Sequence, residues 1–191
     1  MKTPVTATQV ARFCDLLTNG KNIADFEGSR NGLQHKGTRP VRKVGAAVDA
    51  GAEVFAEAAR RGVDFLIVHH GMYWRPVSPE REVRALRKAA LKRTGLSLYS
   101  SHLPLDAHPA IGNNALIAQD LGLKVVDWFV DYEGLPIACI CRGIQLSTLR
   151  KRLKASYPQT YKGIEFGSAK PKKIAILSGS GRSALGHLKA E

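Results

Sequence analysis

Short apolar runs alternating with helical stretches of about ten to fifteen residues predict an α/β fold, built of layered βαβ units around a largely parallel or mixed sheet. Two runs carry the prediction. Asp64-Phe65-Leu66-Ile67-Val68 is continuously apolar after its first residue, as a strand covered on both faces must be, and it runs into His69-His70-Gly71-Met72-Tyr73-Trp74. Leu96-Ser97-Leu98-Tyr99-Ser100-Ser101 repeats the pattern and ends at His102. Between them lies one long helical segment, so the second strand stands one βα unit downstream of the first.

The remaining elements follow in chain order. Val10, Phe13, Cys14 and Leu17 form the apolar stripe of a helix from Ala7 to Thr18, ended by Asn19-Gly20. Residues 21–40 are polar and glycine-rich, with Asn31-Gly32-Leu33-Gln34 read as a loop or turn. Val41 to Val48 is a first strand closed by Asp49, and Ala52 to Arg61 is an alanine-rich helix stopped by Gly62. Ser78 and Pro79 start the next helix, with Glu80 and Glu82 at its positive end; it runs to about Arg93. A helix from Pro109 to about Leu121, strands at Val125–Val130 and Ile137–Cys141, a basic helix from Ser147 to Ala155 and a strand at Ile174–Leu177 complete the pattern. Residues 1–126 form a first lobe carrying the histidine strands, and 127–191 an incomplete second α/β lobe.

The chemistry sits at the strand ends. Ligands of open α/β sheets bind beyond the carboxyl ends of the strands. One such end delivers His69 and His70; the other delivers His102 and, in His102-Leu103-Pro104-Leu105-Asp106, a carboxylate. Adjacent strand residues point to opposite faces, so His69 and His70 share a site only if the chain turns there or the site holds two ions. Taken alone, the pair also fits one core and one surface histidine. Imidazoles and an acid from two strand ends favour a metal site, because neutral imidazole suits zinc, iron, nickel or copper and a carboxylate can bridge two ions.

Composition narrows the class. A chain of 191 residues with 44% apolar content can fill a core, and it has no stretch long enough for a membrane span. Residues 1–9 lack an apolar signal region, which predicts a cytoplasmic protein. Cys139 and Cys141 share a strand face, and with Cys14 they read as reduced thiols, the strand pair buried. The net charge of +13 divides unevenly, +4 over residues 1–140 and +9 over 141–191. A basic segment without interleaved aromatics reads as solvated surface, with nucleic acid the less favoured partner. Ser178-Gly179-Ser180-Gly181 reads as a tight strand-to-helix connection, although Arg182 keeps a phosphate site open.

Several stretches together resemble the Nif-three-like dinuclear-metal family, also described as GTP cyclohydrolase type 2-like. They are Asn31-Gly32-Leu33-Gln34, Val44 to Ala50, Asp64 to Trp74, Tyr99 to Ala107, Gly112-Asn113-Asn114 with Leu121-Gly122-Leu123, and Ser178 to Gly181. The resemblance implies two divalent ions per subunit (zinc, iron, manganese or nickel), with His69, His70 and Asp106 as ligands and Asp106 bridging. It places His102 beside the metals, as a group supporting the ligands or transferring protons, and Asn31 and Gln34 along the pocket. The acid the family often has before that asparagine is Arg30 here. A ring-shaped homo-oligomer and hydrolysis of a small-molecule substrate, such as a nucleotide, are also implied. A non-catalytic metal-binding or regulatory module is the alternative. The family's last ligands lie in a Gly-His-x-x-x-Glu motif well beyond the glycine turn. Here Gly186-His187-Leu188-Lys189-Ala190-Glu191 follows that turn almost at once, so His187 is read as a helix-surface residue and Glu191 as the edge of a longer protein that holds its metals fully.

Overall fold

A computed structural model describes residues 4–74, 80–132, 134–164, 166–179 and 181. The chain divides into two compact units, Met1–Leu105 and Asp106–Glu191. The sequence places the division at residue 126; the units part earlier because the helix before residue 126 packs in the second core.

The first unit contains α1 (Ala7–Thr18), β1 (Gly32–His35), β2 (Val44–Asp49), α2 (Ala52–Arg60), β3 (Phe65–His70), α3 (Glu80–Thr94) and β4 (Ser97–Ser100). Its sheet runs β1-β4-β3-β2, with β2, β3 and β4 mutually parallel and β1 antiparallel to β4. The mixed α/β class read from the sequence therefore holds. β1 is a correction, since Gly32–His35 reads locally as a turn. Pairing with β4 extends it, Gly32 opposite Ser100 and Leu33 opposite Tyr99, and a long-range ladder overrides weak local propensity.

Helix α1 begins at a capping box, in which the Thr6 side chain accepts from Gln9 N–H and the Gln9 side chain accepts from Thr6 N–H. It ends at Asn19 in the left-handed conformation, as the Asn-Gly pair predicts. The start of α3 expected at Ser78-Pro79 lies outside the described residues.

Alternation along β3 explains the layers. Leu66 and Val68 face one side, in a core with Phe55 and Ala58 of α2 and Ala90 and Leu91 of α3. Phe65 and Ile67 face the other, against Ala7 and Ala11 of α1 and the ring of Tyr99. Two filled faces explain why β3 reads as an unbroken apolar run. By contrast, β2 is an edge strand: it pairs with β3, and Val44 and Val48 are 50% and 61% exposed.

The second unit opens with Asp106 at the end of a single helical turn, α4 (Leu103–Asp106). It continues with α5 (Asn113–Asp120), β5 (Val125–Tyr132), β6 (Leu135–Arg142), α6 (Leu146–Ser156) and β7 (Lys173–Ile176). Its sheet is antiparallel, β5-β6-β7. The helix expected from Pro109 starts four residues later, after a turn in which His108 Nδ1 accepts from the N–H groups of Ala110 and Ile111. Ala118, Leu121 and Leu123 pack with Cys139, Cys141 and Ile176. Both strand cysteines are fully buried free thiols, as their spacing predicts. Burial, with Cys141 alongside, pushes the Cys139 thiol up to about 12. Part of the basic excess is structural too, because Arg152 Nη1 donates to the carbonyls of Leu121 and Gly122 at 2.7 and 3.1 Å. No helix among the described residues is long and apolar enough to cross a membrane.

Candidate metal centre

His69 and His70 leave β3 on opposite faces, yet their ring centroids are 4.7 Å apart at the strand end. His102, just past the end of β4, stands 4.8 Å from the first ring and 5.6 Å from the second. One candidate ligating nitrogen from each ring lies within 4.8 Å of the others. The neighbouring parallel strands β3 and β4 thus bring all three imidazoles to their shared carboxyl edge.

What lies behind the rings decides what they can do. His69 Nδ1 faces the Ser101 carbonyl at 3.1 Å, His70 Nδ1 faces Asp49 Oδ1 at 2.8 Å, and His102 Nδ1 faces Asp25 Oδ1 at 2.7 Å. Carbonyls and ionised carboxylates only accept, so each Nδ1 carries the proton. Nε2 is then the lone-pair nitrogen of each neutral ring. Such outer partners fix the tautomer and orientation of metal-ligating histidines. With bonds of about 2.1 Å, a tetrahedral ion asks for nitrogens roughly 3.4 Å apart, so the most separated pair closes by about 1 Å, within the reach of side-chain rotation. The donor set fits a zinc-type divalent ion.

Asp25 is the most elaborate of these supports. Its carboxylate also accepts from Asn31 Nδ2 at 2.8 Å and from the N–H groups of Phe26 and Leu103 at 2.7 and 3.1 Å. Asn31 Oδ1 in turn accepts from His102 N–H at 2.8 Å. Burial pushes the Asp25 carboxyl up, but the hydrogen bonds from His102 and Asn31 prevail and hold it below the ordinary carboxylate range. Replacing Asp25 by Asn removes the charge that anchors His102. Zinc titration against a competing chelator should then show affinity about 10–100-fold lower, the usual cost of losing such a partner, with a native circular dichroism spectrum.

Gly71 lets the chain turn immediately after the histidines. A Cβ there would run into the Gln34 amide and lie 2.7 Å from Ser100 Oγ. The space is taken by Gln34, whose Oε1 accepts from Met72 N–H at 2.7 Å. Trp74 then folds back, its Nε1 donating to the Gly71 carbonyl at 2.9 Å. Its ring meets His102 edge-on at 5.0 Å and His70 at 5.9 Å. Phe26 is 5.5 Å from His102. Two aromatic rings therefore lie against the imidazoles, both of them beside His102.

These strand-end motifs agree with relationships across the whole chain. Residues 6–191 match the family model for Duf34/NIF3 (NGG1p interacting factor 3). The chain belongs to this family. A GTP cyclohydrolase 1 type 2 homolog of Archaeoglobus fulgidus is 36% identical over 177 residues, 93% of this chain and 71% of that protein. A protein of the same name from Pyrococcus horikoshii is 37% identical over 172 residues, 86% of this chain and 68% of the other. The crystal structure of TTHA1606 from Thermus thermophilus superposes with a TM-score of 0.81 at 34% identity, covering 97% of this chain and 75% of that one.

Within this NIF3 family member, the sequence motifs bring His69, His70 and His102 together. Asp106 is buried at the start of the second unit, where its Oδ1 accepts from Asn113 Nδ2 at 2.7 Å and Ser178 Oγ at 3.0 Å. Asn114 beside it is fully buried; it donates to the Asp106 and Ile137 carbonyls and accepts from Ser178 N–H. The glycine turn after β7 is thus fastened through Ser178. Arg182, His187 and Glu191 lie outside the described residues. Asn31 and Gln34 act by holding neighbouring backbone and the Asp25 carboxylate. Sequence reasoning misses Asp25 and Asp49. Asp49 had a usable signal, because it closes the strand next to β3 and stands opposite His70 in the register.

Proposed function

We infer that this protein binds a divalent metal ion through His69, His70 and His102 and uses it to hydrolyse a small molecule, a nucleotide being the class to test first. The observation that carries the reading is the common arrangement of the three rings, each anchored at Nδ1 and all converging within 4.8 Å. A bound divalent ion supplies a Lewis acid and lowers the pKa of coordinated water towards neutrality. The chain's own residues do the rest. Asp25, Asp49 and the Ser101 carbonyl hold the imidazoles in the ligating tautomer, and Trp74 and Phe26 restrict water around them. In this reading His102 is a ligand before it is a proton-transfer group, because its Nδ1 is already committed to Asp25.

The fuller family arrangement, a second ion bridged by Asp106 and self-association into a ring, belongs to the same proposal. So does guanine-nucleotide chemistry, which the names of the relatives suggest. Elemental analysis and zinc titration should give at least one ion per chain. Turnover of GTP and other nucleotides should depend on that ion and vanish with chelator. A His69→Ala, His70→Ala double variant that keeps full metal content sinks the centre. A fully loaded chain that turns over no nucleotide leaves a metal-binding module and sinks the hydrolase.

A further inference from the structure

Three cations gather a short way from the histidines, around the ring of Tyr73. The Arg30 guanidinium lies 5.2 Å from the ring centroid, that of Arg84 5.4 Å, and the Lys88 ammonium 5.7 Å. They come from separate places: Arg30 from the loop before β1, and Arg84 and Lys88 from successive turns of α3. The loop is fastened in position, because Gln34 donates to the Arg30 carbonyl at 2.6 Å and accepts from Met72 N–H. Arg84 Nη2 donates to the Trp74 carbonyl at 3.3 Å. Its Nε is buried without a hydrogen-bond partner, and none of the three cations has an ion pair among the described residues.

Cation–π attraction accounts for one such neighbour on a tyrosine ring. It does not account for three like charges around one ring, with an unused guanidinium donor and no ion pair among the described residues. That arrangement is complementary to a compact anion of more than one charge. Guanidinium forks and a lysine point charge are the groups that recognise phosphate. Resting on the metal-centre reading above, we propose that Arg30, Arg84 and Lys88 form the phosphate-binding subsite of this centre, so that its substrate is a phosphorylated small molecule. Trp74 follows Tyr73 directly and touches His70 and His102. A phosphoryl group beside Tyr73 therefore leaves the rest of the molecule one aromatic ring from the imidazoles. A nucleic-acid strand is a poorer fit, since its backbone asks for a stripe of cations with stacking rings between them, and here the charges share one ring.

The test uses inorganic pyrophosphate, titrated calorimetrically into the metal-stripped chain in magnesium-free buffer so that chelation contributes nothing. Wild type should bind it, more weakly as salt is raised. Arg30→Gln and Arg84→Gln should each weaken binding about tenfold or more, while Lys124→Gln, on the second unit, should not. Zinc titration of Arg30→Gln should match wild type, which separates loss of an anion contact from loss of fold; the contact Gln34 makes is to the Arg30 backbone and survives the change. In the His69→Ala, His70→Ala variant, zinc binding should go and pyrophosphate binding stay. If that variant keeps zinc, the metal reading fails while the subsite stands. If wild type does not bind pyrophosphate, or both arginine variants bind it as wild type does, the subsite is overturned. A chain that binds single-stranded DNA through these arginines more tightly than pyrophosphate overturns the small-molecule assignment.

Discussion

His102→Ala is expected to strip the metal, not merely slow the chemistry. His102 is 7% exposed and supplies one of three converging rings. Zinc-type sites use about three protein ligands, and losing one leaves two imidazoles. The loss should exceed the roughly 10–100-fold that follows when only an outer partner is removed, so Asp25→Asn provides the scale. Zinc affinity measured by chelator competition decides the point. A His102→Ala chain with wild-type zinc affinity and no turnover would return His102 to a proton-transfer role.

The largest expected loss of stability falls on Phe55→Ala. Phe55 is fully buried on α2, in one core cluster with Val63, Leu66, Leu91 and Leu98. Removing an aromatic ring from such a core costs about 3–5 kcal/mol, much of it as residual cavity. That is a large share of the roughly 5–15 kcal/mol that holds a typical domain together. Urea titration should show the midpoint falling with little change in slope. A midpoint shift worth less than about 1 kcal/mol would mean that α2 is not packed as described.

The parts of this molecule legible in its sequence are those whose signal is local. β3 and β4 announce themselves because apolar residues on both faces leave no polar alternation, and the histidines stand at their ends where the chain leaves the sheet. β1 is hidden, because four residues beginning with a glycine carry no pattern of their own and become a strand only against β4. Asp25 is hidden for a related reason. It sits in a polar stretch where acids are expected, and its partner His102 is 77 residues away. Nothing near Asp25 marks it as different from Glu27. Arg30 stands out in the sequence only as a departure from the family pattern; its meaning depends on α3 bringing Arg84 and Lys88 to the same ring. The strand ends can be read from the sequence; of the groups that orient them, Asp49 closes a legible strand, whereas Asp25 becomes visible only in the fold.

The edge strand β2 has a consequence for how copies of this chain behave together. An edge of a sheet is a template: unpaired N–H and C=O groups in a row invite another extended segment to add on. Here the row is bordered by Val44 and Val48, both substantially exposed, so an incoming strand would gain burial as well as hydrogen bonds. Lys43, the cation nearest the strand, donates to the Arg61 carbonyl at 2.8 Å and is drawn towards α2. What opposes strand addition is long-range: a net charge of +13 makes every copy repel the next. That protection weakens as added salt shortens the reach of the repulsion, while the pairing edge is unaffected. Colloidal stability in this protein is therefore set by ionic strength acting on a feature of the sheet.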